Sequence, residues 1–286
     1  MKLEDIRVCI LRIEGTNCED ELHWAFKALG AQPELVHLKQ LLGVDVKSTE
    51  KRNLGDYQIL MFPGGFSAGD YIRAGAIWAA RIKASLGSEL NEFASNGYAI
   101  GGICNGFQVL TELGLLPAFD NKMTERPEAA LSVNDSGRFE CRPSLLKYVN
   151  RGNCAFTTKI PAGKISIMPS AHAEGKFLVK EGTQAELYKK LEENDQIVFK
   201  YVNEEGDETA PYPYNPNGSI YNIAGICNPE GNVFGMMPHP ERVLDITNHH
   251  DWYRNTYKLE LSKPESLHGD GVVVFQSVLD YIQQKF

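Results

Sequence analysis

The segment Tyr98-Ala99-Ile100-Gly101-Gly102-Ile103-Cys104-Asn105-Gly106 joins an apolar strand pattern directly to a helical one. Its first six residues are small or apolar, as expected for a buried strand. The apolar residues that follow share one face of a helix: Phe107, Val109, Leu110 and Leu113. A strand that turns sharply into a helix around a G-x-C-x-G sequence is the cysteine form of a nucleophile elbow. The segment therefore predicts an α/β fold with Cys104 at the turn.

The two glycines of this motif, Gly102 and Gly106, indicate a reactive cysteine between them. Small residues two before and two after a nucleophile relieve crowding at a strained turn, so the side chain projects above the sheet. The start of a helix also favours a thiolate, because aligned peptide dipoles stabilise negative charge there. Cys104 is therefore the candidate nucleophile, and a structural cysteine buried after a core strand is the alternative.

The first third of the sequence alternates short apolar runs with helical patterns, which indicates βαβ units and a mostly parallel sheet. The predicted strands are Ile6–Leu11, Glu34–Leu38, Tyr57–Phe62 and Tyr98–Ile103. A capping box formed by Thr16 and Glu19 predicts a helix that ends at Gly30, and a second helix is predicted over 72–94.

The second half is rich in short strands between turn residues. The predicted strands are Ala155–Thr158, Ile165–Met168, Phe177–Val179, Gln196–Val202 and Asn232–Met237. One helix is predicted from a Thr183 cap to about Asn194, and a last amphipathic helix over 272–284. Residues 118–138 are polar with little periodicity, which predicts an exposed insertion. Because no repeat or linker is evident, we predict a single domain over residues 1–286.

Composition excludes several classes of protein. The 286 residues are 43% hydrophobic and 23% charged, and 29 Lys+Arg against 37 Asp+Glu leave a net charge of −8. This acidic balance argues against nucleic acid as the main partner. No apolar run approaches the roughly 20 residues that span a bilayer, and the charged start is unlike a signal peptide, so we expect no membrane association and a cytoplasmic location. Six scattered cysteines without a C-x-x-C pair predict reduced thiols.

A cysteine nucleophile needs a base and a group that orients the base, and Met237-Pro238-His239-Pro240-Glu241 supplies candidates for both. His239 follows an apolar strand, so it would lie at the sheet edge where α/β proteins bind ligands. Pro240 disfavours a helical backbone at His239, and in extended backbone residues two apart point the same way. We therefore predict that Glu241 orients the His239 imidazole, with a solvated loop as the alternative.

Glycines after another strand suggest hydrogen-bond donors for a negatively charged intermediate. Gly64 and Gly65 follow the strand that ends at Phe62, and their backbone can approach a ligand closely. With the N–H of Asn105, which follows the nucleophile, this loop could form an oxyanion hole. A plain strand-ending turn is the alternative.

Taken together, these elements resemble the class I (triad) glutamine amidotransferases, which are flavodoxin-like α/β domains. The order of the motifs is closer still to the family of glutaminase subunits of phosphoribosylformylglycinamidine synthase, an enzyme of purine biosynthesis. The matching segments are Gly15–Cys18, Gly65–Ile77, Cys104–Gln108, Cys141–Pro143, Ala171–Gly175 and Gly235–Arg242. The chain departs from that family at about residues 43–56, 120–137, 203–216 and 245–270, which we expect to be surface insertions.

The resemblance implies a triad of Cys104, His239 and Glu241 that hydrolyses glutamine to glutamate and ammonia. It also implies two protein partners: a large synthetase subunit, which binds ATP and Mg and receives the ammonia, and a small bridging subunit. The chain has no G-x-x-x-x-G-K-[ST] phosphate loop, so no cofactor is expected on it. The fold that the resemblance implies is a mostly parallel central sheet flanked by helices, with an additional antiparallel, strand-rich part.

Further residues carry weaker expectations. Gln108, one helical turn after the nucleophile, either lines the glutamine pocket or lies on the helix surface. Asp70, Arg73 and His172 match the subfamily better than the class, which suggests a surface for the partner or an ammonia exit. For His172, a structural hydrogen-bonded histidine is the alternative. The pair His249-His250 is expected in a solvated loop, and no metal site is predicted.

The cysteines other than Cys104 are expected to be packing or surface thiols. Cys9 and Cys227 lie in apolar strand patterns, and the motifs place no base near Cys18, Cys141 or Cys154.

Three other readings compete with this one. The chain could be the glutaminase of another amidotransferase, or a related elbow-cysteine hydrolase. In those hydrolases a histidine commonly follows the nucleophile, whereas Asn105 follows Cys104 here. A non-catalytic binding module of the same fold would not need all three triad residue types.

Overall fold

A nine-stranded sheet forms the centre of the computed structural model, which describes residues 1–120, 123–255 and 268–286. Its strand order is β2-β1-β3-β4-β11-β10-β9-β6-β7. The first five strands in this order are parallel: β2 (Gln32–His37), β1 (Arg7–Arg12), β3 (Ile59–Phe62), β4 (Ala99–Ile103) and β11 (Val233–Met236). The predicted parallel α/β core is therefore confirmed.

The rest of this sheet is antiparallel. It contains β10 (Ile223–Cys227), β9 (Ile197–Tyr201), β6 (Glu140–Tyr148) and β7 (Ile165–His172). A separate two-stranded sheet pairs β5 (Ala129–Ser132) with β8 (Lys176–Val179). The predicted strand-rich second part therefore continues the parallel core directly, because β10 and β11 are neighbours in one sheet.

Helices flank the sheet. They are α1 (Glu19–Ala28), α2 (Leu38–Leu42), α3 (Ala76–Ser95), α4 (Asn105–Leu113), α5 (Gln184–Glu193), α6 (Trp252–Asn255) and α7 (Val272–Lys285). The helix α1 packs on α7 through an edge-to-face contact of Phe26 with Phe275, whose ring centroids are 5.2 Å apart. The helix α3 packs on α4, and Trp78 reaches Phe62 of β3 at 5.4 Å between centroids. Among the described helices, none combines the length and apolar composition needed to cross a membrane.

The apolar stripe predicted for α1 is buried, but its start differs from the prediction. Leu22, Ala25 and Phe26 all face the core. The N-cap is Cys18, and the Thr16 hydroxyl donates to the Glu19 carboxylate at 3.2 Å rather than capping the helix. The predicted capping box is therefore wrong, because Cys18 and not Thr16 occupies the N-cap position of α1.

Other predicted elements also shifted. The helix predicted over 72–94 begins at Ala76, because the preceding segment holds Ala68, Asp70 and Ile72 at positive φ, which is incompatible with a right-handed helix. Residues 155–158, predicted as a strand, form a turn. Phe156 in that turn is buried because its ring stacks on Phe234 with centroids 5.1 Å apart. An apolar run can therefore be buried without pairing as a strand in a β-sheet.

The insertions predicted at the surface are partly integrated into the fold. The predicted exposed segment 118–138 contains β5, and Ala129, Leu131 and Asn134 are buried, so the prediction of an exposed insertion is wrong there. Residues 121–122 and 256–267 of the predicted insertions lie outside the described residues. Within 43–56 and 203–216 most residues are exposed, with Leu54, Ala210 and Asn215 among the buried ones. The assignment of all 286 residues to one domain stays a prediction.

Candidate active site

The carboxyl ends of three neighbouring parallel strands meet at one edge of the sheet. In the register, Gly102 of β4 lies opposite Phe62 of β3, and Ile103 lies opposite Met236 of β11. The segments that follow these strands therefore emerge side by side, as ligand sites in open α/β sheets require. Gly64, Cys104 and His239 belong to those three segments.

The turn at Cys104 has the strained geometry of a nucleophile elbow. Cys104 has φ 52° and ψ −108° and caps α4. A β-carbon at Gly102 would lie 2.6 Å from the Gly106 backbone, and one at Gly106 would collide with the Phe62 carbonyl oxygen. The requirement for small residues on both sides of the nucleophile therefore holds in atomic detail. The Cys104 N–H donates to the Met236 carbonyl at 2.8 Å, which fixes the elbow to β11.

Cys104 is almost closed off from solvent in this conformation. Its exposed fraction is 6%, and its sulfur lies 3.6 Å from the carbonyl oxygen of Ala171, near the end of β7. The edge strand β7 therefore forms one wall around the thiol.

His239 and Glu241 form a buried pair. Their Nδ1 and Oε1 atoms are 2.6 Å apart, and His239 has the predicted extended backbone, with φ −106° and ψ 91°. Burial alone would lower the pKa of His239, but the Glu241 carboxylate and the Cys104 thiolate raise this pKa well above its ordinary value. The backbone N–H of His239 also donates to the Pro169 carbonyl of β7 at 2.8 Å. The imidazole is thus held in place by backbone and carboxylate together.

Gly64 and Gly65 pass directly beside this pair. A β-carbon at Gly64 would lie 2.8 Å from His239 Cε1 and 3.4 Å from the Cys104 β-carbon. Gly65 has φ 139°, and a β-carbon there would lie 2.7 Å from the Asn17 backbone nitrogen. Only glycine fits at either position, and Gly64 passes close to both His239 and Cys104. The role of its N–H groups stays a prediction.

The side chains of Asn105 and Gln108 are buried and bonded to each other, from Asn105 Nδ2 to Gln108 Oε1 at 2.8 Å. Asn105 Oδ1 also accepts from the Ser67 N–H at 3.2 Å, and Gln108 Nε2 donates to the Glu174 carbonyl at 2.6 Å. The alternative of a surface Gln108 is therefore wrong. Its contact with glutamine stays a prediction.

The residues predicted for the partner surface have different surroundings. Arg73 is half exposed and forms a two-pronged ion pair with Glu112, with both N–O distances 2.6 Å. The Asp70 carboxylate is partly buried, 3.4 Å from Asn105 Nδ2, and burial together with the Glu174 charge raises its pKa to about 6. His172 has an exposed fraction of 3%, so it lies inside the protein and not on a docking surface.

Cys18 belongs to the site, although the sequence motifs place no base near it. Its sulfur lies 4.0 Å from His239 Nδ1 and accepts from Arg242 Nη2 at 3.1 Å. The expectation of no nearby base is therefore wrong. One feature of the sequence indicates this contact. Gly15–Cys18 closely follows β1, another parallel strand that ends at this edge of the sheet.

The thiol of Cys18, the His239 imidazole and the Glu241 carboxylate place their ligand atoms within 4.8 Å of one another. That set resembles a metal-ligand set by type. The Arg242 guanidinium already places positive charge against the Cys18 sulfur, so we assign the cluster to the support of His239.

The other cysteines agree with expectation where the structure describes their burial. Cys9 in β1 and Cys227 in β10 are buried in the core. Burial raises the pKa of the Cys9 thiol, and a hydrogen bond with Cys154 together with burial raises the pKa of the Cys227 thiol. Cys141 is exposed and Cys154 is buried. The rings of His249 and His250 lie 4.5 Å apart, and His250 borders a cavity of about 410 Å³ on the β6–β7 face.

Known proteins match this sequence over nearly its whole length. The family model of the CobB/CobQ-like glutamine amidotransferase domain matches residues 5–282. Phosphoribosylformylglycinamidine synthase subunit PurQ of Archaeoglobus fulgidus is 50% identical over 286 residues, covering 99% of this chain and 100% of that protein. The PurQ subunit of Dehalococcoides mccartyi is 36% identical over 282 residues, covering 99% of this chain and 100% of that protein.

A solved structure extends the likeness to three dimensions. A chain in the structure of PurLQS from Thermotoga maritima aligns with a TM-score of 0.67 at 31% identity, covering 97% of this chain and 99% of that one. The family match over residues 5–282 spans the elbow, the glycine loop and the His239–Glu241 segment. The chain therefore belongs to the CobB/CobQ-like glutamine amidotransferase family, and within it to the PurQ subunits of phosphoribosylformylglycinamidine synthase.

Proposed function

We propose that this chain is the glutaminase subunit of phosphoribosylformylglycinamidine synthase and supplies ammonia for the ATP-dependent conversion of formylglycinamide ribonucleotide to formylglycinamidine ribonucleotide. The observation that carries the proposal is the elbow of Cys104 beside the His239–Glu241 pair, whose Nδ1–Oε1 distance is 2.6 Å. Whole-length identity of 50% to a PurQ subunit supports the assignment of the substrate and partners.

The reaction begins at Cys104. Its thiolate attacks the side-chain carboxamide carbon of glutamine and forms a tetrahedral intermediate with a negatively charged oxygen. The N–H groups of Gly65 and Asn105 are proposed to stabilise that oxygen, since the glycine loop approaches the Cys104 β-carbon closely. Losing one such donor typically costs about 10²- to 10³-fold in rate.

His239 moves the protons of the reaction. Its raised pKa keeps it as an imidazolium beside the thiolate, so it can protonate the leaving nitrogen as the C–N bond breaks. The neutral imidazole then takes a proton from the water that hydrolyses the glutamyl thioester. Glu241 holds the ring through Nδ1 and stabilises its charged form. Glutamate and ammonia leave.

Ammonia must reach a second active site without becoming ammonium, which is not a nucleophile. The large synthetase subunit is proposed to supply that site with ATP and Mg, and a small subunit to bridge the two, while this chain carries no cofactor. We place the complex in the cytoplasm, which agrees with the six free cysteines of the chain.

An apolar surface next to the active site suits the large subunit. Tyr71 and Ile72 are 74% and 87% exposed, and the half-exposed rings of Phe66 and Phe139 have centroids 6.3 Å apart. Adjacent exposed apolar groups indicate an interaction site. Residues 66–72 directly follow Gly65, so docking there would place the large subunit next to the glycine loop. Arg73 is proposed to lie at the edge of the same surface.

Replacing Cys104 by alanine in the reconstituted three-subunit complex tests the proposal. We expect Cys104→Ala to abolish glutamine-dependent synthesis, because no other nucleophile occupies the elbow, while synthesis from added ammonium salt persists. Cys141→Ala, which alters an exposed thiol, is the matched control and should behave as wild type. Glutamate formation by Cys104→Ala at the wild-type rate would refute the assignment.

A further inference from the structure

Buried polar atoms without a partner gather around Cys104. Among the residues that the structure describes, eight buried side-chain polar atoms have no hydrogen-bond partner. Half of them lie on segments that meet at the Cys104 elbow: Ser67 Oγ, His172 Nδ1, His239 Nε2 and Glu241 Oε2. Leaving such an atom unpaired costs about 1–3 kcal/mol, so a concentration of them indicates a place where a ligand supplies the partners.

His172 is the member of this set to which the reaction steps above give no role. It is the last residue of β7 and directly follows Ala171, whose carbonyl oxygen lies 3.6 Å from the Cys104 sulfur. The Nε2–Cδ2 edge of its ring faces Gly175, where a β-carbon would collide with it. The unpartnered Nδ1 is therefore on the opposite edge of the ring.

The orientation of a neighbouring amide decides which nitrogen of His172 carries the proton. The Ser219 N–H, which can only donate, lies 3.0 Å from Asn217 Oδ1, so that atom is the amide oxygen. Asn217 Nδ2 is then the donor that lies 3.0 Å from His172 Nε2. His172 Nε2 must accept, which leaves the proton on Nδ1.

The His172 ring is also neutral. Burial and the charge of the nearby His239 lower its pKa to about 3. Asn217 reinforces this state, because a protonated ring would present N–H against N–H. One residue beyond the Ala171 carbonyl that contacts Cys104, His172 therefore carries a neutral Nδ1–H group that is buried, fixed in its tautomer and without an acceptor among the described residues.

The reaction offers several acceptors, and their chemistry separates them. The carboxamide oxygen belongs to the proposed oxyanion hole, and a carboxylate would favour a protonated imidazole, which Asn217 opposes. Released ammonia is neutral and has one lone pair. A donor that holds its proton tightly can bind that lone pair without converting ammonia to ammonium.

We propose that His172 donates its Nδ1–H to the lone pair of ammonia released at Cys104 and holds it unprotonated as it leaves toward the partner subunit. This inference rests on the proposed function. When the C–N bond breaks, the proton on the leaving nitrogen comes from His239, and His172 keeps its own proton. His172 is thus a product-binding residue inside the protein.

The tautomer is tested on the full wild-type chain. In ¹⁵N-labelled protein the imidazole nitrogen signals of His172, identified by their loss in His172→Asn, should show Nδ1 protonated and Nε2 unprotonated from pH 6 to 8. Asn217→Asp replaces the donor by an acceptor and should move the proton to Nε2. A protonated Nε2 in wild type, or titration of His172 near neutral pH, would overturn the inference.

The function is tested by the amidated product formed per glutamate released in the reconstituted complex, a ratio that is insensitive to the glutaminase rate itself. His172→Phe keeps a planar ring without the donor and should lower the ratio about 3- to 10-fold, as loss of one neutral hydrogen bond implies. His172→Asn, whose amide N–H can stand near the position of Nδ1, should restore most of it.

An unchanged ratio in His172→Phe would overturn the proposal, and so would an equal loss in His172→Asn. A higher KM for glutamine with an unchanged ratio would assign His172 to the substrate instead. If the wild-type complex formed no glutamate from glutamine, the proposed function itself would fail, which is a separate result.

Discussion

Two strand ends beside Cys104 carry buried histidines in opposite states of charge. His239 follows β11 and His172 ends β7, and their exposed fractions are 2% and 3%. The two segments are in contact, since the backbone N–H of His239 donates a hydrogen bond to the Pro169 carbonyl of β7. Nevertheless the pKa of His239 is raised well above its ordinary value, whereas that of His172 is lowered to about 3.

The difference teaches that burial keeps an imidazole neutral here unless a carboxylate partner offsets it. Burial disfavours the charged form of both rings. Glu241 offers His239 a carboxylate at 2.6 Å, which more than offsets burial, whereas Asn217 offers His172 an N–H. One site thereby gains a proton donor for the leaving group and a neutral contact for the product.

Removing the carboxylate should break the comparison at His239 and gives the largest effect. Glu241→Gln keeps the size of the side chain but not its charge, so we expect glutamine hydrolysis in the complex to fall about 10³- to 10⁴-fold, as in other triads. Because Glu241 raises the pKa of His239, the remaining activity should lose its imidazolium at a lower pH. Steady-state rates of glutamate release across pH measure both.

For this prediction Glu230→Gln, which alters an acidic residue outside the site, provides the control. A loss of less than about tenfold, with an unmoved alkaline limb, would mean that Glu241 does not set the state of His239.

The dependence of stability on pH should separate the two histidines by sign, with a smaller effect. The pKa of His172 is depressed from 6.5 to about 3 on folding, so its contribution is present above pH 6.5 and is lost as pH falls toward 3. The pKa of His239 is raised, so its contribution is present below 6.5 and is lost as pH rises through the folded value. Each pKa unit corresponds to about 1.4 kcal/mol.

Urea unfolding of wild type, His172→Asn and His239→Asn between pH 5 and 9 measures this difference. The gap in unfolding free energy between wild type and His172→Asn should shrink toward acid, and the gap for His239→Asn should shrink toward alkali. Parallel curves for the two variants would show that both rings have the same charge and would remove the basis of the comparison.

Sequence alone predicts the His239 side of this comparison. The elbow of Cys104 and the spacing of His239 and Glu241 are local patterns, and the structure brings all three residues to one sheet edge. The glycines at positions 64 and 106 are predictable as parts of strand-ending turns, although the atoms that exclude a side chain there belong to distant segments: His239 and Cys18 at Gly64, and Phe62 at Gly106. The parallel core is predictable for the same reason: its strands and helices alternate along the chain.

The His172 side could not be predicted in this way. Its partner, Asn217, lies in a loop that carries turn residues typical of a solvated segment, yet it is fully buried. Cys18 reaches His239 from the far end of the chain, and β5 lies in a segment that reads as polar. The contacts of Asn217 and β5 depend on how the antiparallel strands fold back on the core, which has no signature in nearby residues. Cys18 reaches His239 because β1 and β11 are parallel strands that end at the same sheet edge.

The central claim is that Cys104 is the nucleophile that His239 serves. Mass spectrometry of the full chain after treatment with a glutamine-mimicking diazoketone tests it most directly, in the complex and with free glutamine as competitor. The account predicts one adduct, on Cys104, whose formation glutamine slows. An adduct on Cys18, the other thiol beside His239, or no glutamine-protected adduct on Cys104, would contradict it.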